Sequence, residues 1–409
     1  EILIGLVGSE MCIRDRLYSW YLRNPEYRSR VQKLVQSAFA GKPEDIISQS
    51  VAKALYGEVS PYSATRLERF AACAFAHFLQ YGMKLTERVE YEFKPMDMGN
   101  VMHEALESFA EEVRKRGMKW TELTEQERNE IADRCLDNIV ADYGNTVLKS
   151  SARNEYMIER TRRILRRTVW ALQKQLEQGE FQPEGFEVTF GGGRIDRVDI
   201  MEDQNKVYVK VIDYKTGNTS FDLVYLYHGL QLQLMIYLDG ALRVEQKKYP
   251  DKEIIPAGVF YYNIKDPMIQ EKIDADVEAV SAGLMKELKM NGLVQADPEL
   301  VYRMDSSLGS IPVAFNKDGS FRKNSSVADR TQFAVLGRYV RTKIEKIRSS
   351  ILEGDAEVSP YELGKKNACT YCPYMTVCGF DRRLSGYEFR RLKNFSDEEL
   401  WKAFDREAE

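Results

Sequence analysis

From Phe186 onward the apolar residues switch to a period of two, and no other feature of the chain restricts its fold as strongly. The alternation predicts strands near residues 186–190, 194–201 and 206–214, joined by the glycine run 191–193 and the polar turn Glu202-Asp203-Gln204-Asn205. A helix over about 226–244 and an apolar strand over 257–262 follow, so the order strands, helix, strand predicts an α/β fold. In the third strand Val207, Val209, Val211, Asp213 and Lys215 share one face, because side chains alternate. An apolar face that ends in a carboxylate and an ammonium is costly unless the strand ends at a solvent-reached site or a metal.

Asp196 lies on the preceding strand. If Ile200 pairs with Val209, Asp196 stands opposite Asp213, with Cβ atoms roughly 5 Å apart. Two facing carboxylates need a cation, and Mg²⁺ suits them because it takes one or two carboxylates together with waters and phosphate oxygens. The set fits phosphodiester hydrolysis: a metal polarises the phosphate and acidifies a water, while Lys215 orients that water and stabilises developing charge. An isolated Asp-x-Lys is more often a surface ion pair at a strand end. Asp199 points to the opposite sheet face and reads as a structural residue.

The run Gly193-Arg194-Ile195-Asp196-Arg197-Val198-Asp199, followed by Ile212-Asp213-Tyr214-Lys215-Thr216-Gly217, resembles the PD-(D/E)XK motif of RecB-type nucleases. That resemblance implies a restriction-endonuclease-like core, a mixed sheet flanked by helices, with helical insertions. It makes Asp196 and Asp213 ligands of Mg²⁺, lets the Tyr214 backbone carbonyl contribute, and makes Lys215 catalytic. Gly99-Asn100-Val101-Met102-His103 resembles the upstream helix of the same family, which implies that His103 is a further ligand. Gln233-Leu234-Met235-Ile236-Tyr237 resembles its Gln-x-x-x-Tyr helix, and the i, i+4 spacing sets Gln233 and Tyr237 on one face, able to touch a DNA backbone near the metal. Taken singly, these three residues would read as ordinary helix positions. Glu107, one turn after His103, is a weaker ligand candidate; His77 and His228 match no motif and read as packing or surface hydrogen-bonding residues.

Upstream, Ser60-Pro61-Tyr62-Ser63 opens a helix with Leu67, Phe70, Ala71, Phe75 and Phe78 at helical spacing, and this helix carries Cys73. Residues 87–93 read as a short strand. After Gly99 a helix buries Val101, Met102, Ala105, Leu106 and Phe109, and long polar helices with solvated faces fill 121–178. Residues 305–325 read as a loop or hairpin and 327–353 as helix.

Near the C-terminus, Cys369-x2-Cys372-x5-Cys378 supplies three soft ligands, with Pro373 favouring a wrapped loop. Cys135 reads as a lone thiol, which leaves Cys73 as the better fourth ligand. Six cysteines without a secretory signal point to a reducing compartment, the cytoplasm. Zinc and an iron–sulfur cluster both accept four thiolates, and spacing does not choose between them. A distant N-terminal cysteine plus this C-terminal pattern, flanking a nuclease core, resembles the [4Fe–4S] staple of the AddB and Cas4 nucleases. The resemblance implies that Cys73, Cys369, Cys372 and Cys378 hold a [4Fe–4S] cluster that clamps the two ends of the domain.

Residues 63–70, 81–88 and 96–100 further resemble the C-terminal region of the AddB family, over about residues 45–390; Ala74 departs from it, where the family has proline. On that basis residues 58–390 form the nuclease domain (core about 95–265), 17–57 end a helicase-like domain and 391–409 form a charged helical tail. The stretch 1–16 resembles translated adapter sequence. No phosphate-binding loop Gly-x4-Gly-Lys-Ser/Thr occurs, so ATP hydrolysis would lie in other sequence or in an AddA-like partner. The implied role is a Mg²⁺-dependent exonuclease on single-stranded DNA, in AddB the 5′-ended strand, during recombinational repair of broken duplexes. A Cas4-like exonuclease and a non-catalytic DNA-binding scaffold are the alternatives; a scaffold would have lost an acid or the lysine. Net charge is −4, so a DNA path would depend on local or partner surfaces. No apolar run approaches the ~18–20 residues of a membrane span.

Overall fold

The computed structural model describes residues 9–38, 46–57, 63–86, 95–142, 151–191, 193–269 and 276–408. The expected strand over 87–93 and residues 1–8 lie outside them. Its centre is a six-stranded mixed sheet: β1 (Gln182–Phe190), β2 (Gly193–Asp203), β3 (Lys206–Lys215), β4 (Glu253–Asn263), β5 (Asn291–Gln295) and β6 (Val327–Ala328), in that spatial order. The first three strands are antiparallel, as the short turns between them require. Between β3 and β4 the chain crosses over through a helix, Gln233–Lys248, and the two strands run parallel.

Ile200 pairs with Val209 and Arg197 with Ile212, the register in which Asp196 stands opposite Asp213. Val207, Val209 and Val211 are fully buried on one sheet face, against Leu234 and Leu238 of the Gln233 helix, Leu67 of the helix Ala64–Ala72, and Leu336 of the helix Arg330–Glu353. Each such side chain contributes about 1.5–3 kcal/mol by leaving water. The opposite face carries Tyr208, Ile212 and Tyr214 into a second core with Leu106, Phe109, Leu136 and Leu165. Three helices cover that face: Pro95–Lys115, Glu125–Asp142 and Ala152–Glu177.

Several helix boundaries differ from expectation: the helix expected through Phe78 breaks at Cys73, whose extended backbone separates Ala64–Ala72 from Ala74–His77, and the helix expected from 327 opens at Arg330 after the strand Val327–Ala328. The helix expected over 226–244 is split into Leu223–Tyr227 and Gln233–Lys248. Gly229 adopts a φ of +76° between the two, and the Leu230 N–H returns to the Tyr225 carbonyl, so the chain turns and Gln233 starts the second helix. The His103 helix opens at Pro95, not after Gly99. Gly99 lies inside it because a Cβ there would stand 3.3 Å from Thr216 Oγ1, so glycine lets this helix approach the end of β3 closely. Residues 315 and 321 bridge within the expected 305–325 loop. Among the described residues no helix is long and apolar enough to cross a membrane.

Candidate active site

The carboxylates gather where β2 begins and β3 ends. Asp196 Oδ2 accepts the backbone N–H of Tyr214 at 2.7 Å and lies 3.3 Å from His103 Nδ1. A third acid joins them from β1. The ladder pairs Phe186 with Arg197 and Val188 with Ile195, which sets Glu187 opposite Asp196, and Glu187 has a left-handed φ of 49°. Non-glycine residues seldom take that conformation, and strain of this kind concentrates at functional sites. Glu187 Oε1 is 4.0 Å from His103 Nδ1, its other oxygen is 2.5 Å from Arg194 Nε, and one donor atom each from His103, Glu187 and Asp196 lie within 4.8 Å of one another.

Glu187 was not singled out from the sequence. The signal was the glycine run 191–193 in the sequence: Phe190 pairs with Gly193, and counting back along both strands brings Glu187 to Asp196. Glu107, the weaker ligand candidate one turn after His103, is not among these donors.

Asp213, 1% exposed, lies beside this group. One oxygen is 2.7 Å from Lys215 Nζ and the other accepts the Gln233 amide at 2.8 Å. Burial and the charge of Asp196 push the Asp213 carboxyl up to about 7, against the pull of Lys215. Burial opposes protonation of His103, yet the hydrogen bond and charge of Asp196, with Asp213 and Glu187 behind it, hold the imidazole above its ordinary value. Asp213 is raised chiefly by burial and then by Asp196, whereas His103 is raised by the acids around it against burial. Oxygen donors with one imidazole suit Mg²⁺ or Mn²⁺, so the residues present fit such an ion.

Gln233 does not project freely from its helix. Its oxygen accepts from Lys215 Nζ at 2.8 Å, while its nitrogen reaches Asp213 and, at 2.9 Å, the Tyr237 hydroxyl. The amide bridges acid and lysine within the protein. Tyr237 is buried, edge-on to Phe190.

Glu68 is a second residue the sequence did not single out. Its Oε1 accepts the backbone N–H of Leu232 at 2.7 Å and of Gln233 at 3.0 Å, capping the helix that presents Gln233. Burial pushes its carboxyl up to about 7 against the two N–H donors. A charged residue next to Leu67 on an otherwise apolar helix face was the available clue. Cys73 is the C-cap of the same helix, so one element carries both Glu68 and a cysteine of the C-terminal cluster.

Cys73, Cys369, Cys372 and Cys378 all line one small cavity of about 30 Å³. Burial, then the facing Cys73, Cys372 and Cys378 sulfurs, push the Cys369 thiol up to about 12, and burial raises that of Cys73. Four convergent thiols fit a group bound through four thiolates. Cys135 lies apart, buried in the other core near Ser108. Asp199 faces away from the site, fully buried between Arg197 and Lys210. His77 packs among Tyr56, Phe70 and Tyr81 and accepts from Arg66 Nε, while His228 meets the Lys393 carbonyl.

Comparison with known proteins places this geometry. The chain is 42% identical over 433 residues to the B-type subunit of the ATP-dependent helicase/deoxyribonuclease of Lachnoclostridium phytofermentans, covering 100% of this chain and 37% of that protein. It is 34% identical over 424 residues to the corresponding B-type protein of Clostridium acetobutylicum, covering 98% and 37%, and 34% identical over 416 residues to that of Thermoanaerobacter sp., covering 96% and 36%. The chain thus spans little more than a third of the length of these relatives. A family model described as the PD-(D/E)XK nuclease superfamily matches residues 61–379, which contain the acids, the lysine and the four clustered cysteines. The mixed sheet with its acids at one end and the match over most of the chain agree: the chain belongs to the PD-(D/E)XK nuclease superfamily.

Proposed function

We propose that this chain is the nuclease part of an ATP-dependent helicase–nuclease subunit, and that it hydrolyses single-stranded DNA, on the 5′-ended strand, with Mg²⁺. The observation that carries this reading is the convergence of His103, Glu187 and Asp196 beside the Asp213–Lys215–Gln233 network. The names of the relatives, B-type subunits of a helicase/deoxyribonuclease, support DNA as substrate and an AddA-like second subunit as partner. Recombinational repair of broken duplexes, in the cytoplasm, follows as the setting.

Asp196, Asp213 and His103 would hold the metal, with Glu187 as a further donor and the Tyr214 carbonyl within the same strand end. When bound, the ion supplies Lewis-acid polarisation of the phosphate and a water of lowered pKa. Lys215, held by Asp213 and Gln233, presents its ammonium to the phosphate and stabilises negative charge as it develops. Gln233 and Tyr237 keep that lysine in place. Cys73, Cys369, Cys372 and Cys378 would bind a [4Fe–4S] cluster, which ties the helix bearing Glu68 to the C-terminal segment.

The test is cleavage of 5′- and 3′-end-labelled single-stranded DNA by the full subunit with its partner, with Mg²⁺ or EDTA. Degradation from the 5′ end, lost in EDTA and in Asp213→Asn, is expected. Equal cleavage by that variant overturns the assignment.

A further inference from the structure

The helix Ala152–Glu177 carries Tyr156, Arg160, Arg163, Arg167 and Trp170 at spacings of four, three, four and three, so all five fall on one face. They line a single open cleft of about 650 Å³ together with Val277, Ser281 and Leu284 of the helix Val277–Glu287; the acids Glu125 and Glu159 line it too, against six arginines. From the first aromatic to the second is about 21 Å of helix. Tyr156 is 64% exposed.

Charge along this stripe does not cancel. Arg163 and Arg167 share one carboxylate, Asp266, at 2.8 and 3.5 Å. Arg160 has no ion pair among the described residues. Three guanidiniums therefore have one paired acid between them. The neighbouring arginines differ: Arg162 and Arg166 are tied to Asp133, with Asp137 and Glu159 also on Arg162, and they fasten this helix to Glu125–Asp142. Within a chain of net charge −4, a cationic row flanked by an aromatic at each end is a local exception.

The stripe also lies close to the acidic site. Asn263 is the β4 partner of Lys215, and the Ile264 N–H donates to the Lys215 carbonyl at 2.7 Å. Asp266 follows two residues later, at most about 7 Å along the chain, and there meets Arg163 and Arg167.

We propose that this stripe is a track for single-stranded DNA, in which Arg160, Arg163 and Arg167 hold successive phosphates while Tyr156 and Trp170 stack on bases. Guanidiniums alternating with flat apolar surfaces match the chemistry of a strand whose bases are unpaired, and they carry no base-specific pattern. The inference rests on the reading of DNA as substrate and extends it to where the strand runs.

Binding is measured on the full subunit with its partner, in an Asp213→Asn background so that the probe survives, using fluorescein-labelled oligothymidylate over a range of salt. Combined Arg160→Gln, Arg163→Gln and Arg167→Gln is expected to weaken binding and to flatten the slope of log affinity against log salt by about 2, since each phosphate contact on a single strand contributes about 0.7. Tyr156→Ala with Trp170→Ala is expected to lower affinity roughly tenfold or more, with the slope unchanged. Variants that melt like the parent but bind with its affinity and slope overturn the track. So does a triple variant whose defect is loss of the partner subunit, which would make the stripe a protein interface. Failure of the nuclease reading is seen separately, as absence of cleavage by the unsubstituted protein, because the binding assay does not depend on cleavage.

Discussion

The backbone N–H of Tyr214 donates to the Asp196 carboxylate across 2.7 Å, so this acid both faces the candidate metal site and closes the end of the β2–β3 pair. Its two roles separate by substitution. Asp196→Asn keeps an acceptor for the N–H and is expected to melt near the parent while cleavage falls by at least about a hundredfold. Asp196→Ala is expected to lose both, with a stability cost of about 1–3 kcal/mol for the orphaned buried donor. Denaturant melts alongside cleavage assays read the difference; equal stability of the two variants rejects the structural role.

Gln233 links Lys215 to Asp213 through one amide. Gln233→Leu keeps the bulk and removes both bonds. Displacement of a catalytic group by about 1 Å costs up to about a hundredfold, so kcat is expected to fall about 10–100-fold with KM little changed. A rise in KM alone would assign Gln233 to DNA binding instead.

Glu68 makes stability depend on pH. Its carboxyl lies near 7 in the folded chain against 4.5 ordinarily, so the folded state binds this proton more tightly than the unfolded state. The stabilisation is full below about 4.5 and is lost as pH rises through about 7. Glu68→Gln cannot ionise and keeps an oxygen for the Leu232 and Gln233 N–H groups. Its stability relative to the parent, followed by thermal melts in EDTA, is expected to rise from about pH 5 to about pH 8, by no more than about 3 kcal/mol. A flat difference across that window is the contrary result.

The iron–sulfur cluster proposed for the four clustered thiols predicts a chromophore. Anaerobically purified protein is expected to contain iron and sulfide in equal amounts and to absorb in the visible, and Cys372→Ala to lose both and to melt earlier. Cys135→Ala, which alters a thiol in the other core, is expected to keep the colour. Zinc in place of iron would overturn the iron–sulfur assignment.

Several features of the site were legible along the chain. Alternation put Asp213 and Lys215 on the buried valine face, and the expected pairing of Ile200 with Val209 is present. The His103 helix buries the stripe expected of it, Val101, Met102, Ala105, Leu106 and Phe109. The cysteine spacing singled out Cys369, Cys372 and Cys378, and these share a cavity with Cys73, the fourth candidate. The arginine stripe was also visible as spacing, but a solvated helix face has the same pattern. Asp266 and the helix Val277–Glu287, both more than 90 residues away, are what make it a cleft.

Sequence by itself determined the strand faces and the three C-terminal cysteines, because side-chain alternation and ligand spacing are local properties of a chain. Tertiary structure alone decided that Glu187, not Glu107, joins His103 and Asp196, that Glu68 caps the Gln233 helix, and that Gln233 is bound between Asp213 and Lys215. Those distances arise where elements distant in sequence pack on both faces of one sheet. Burial there leaves each carboxylate and amide to find its partner within the protein, and no local pattern records which partner that is.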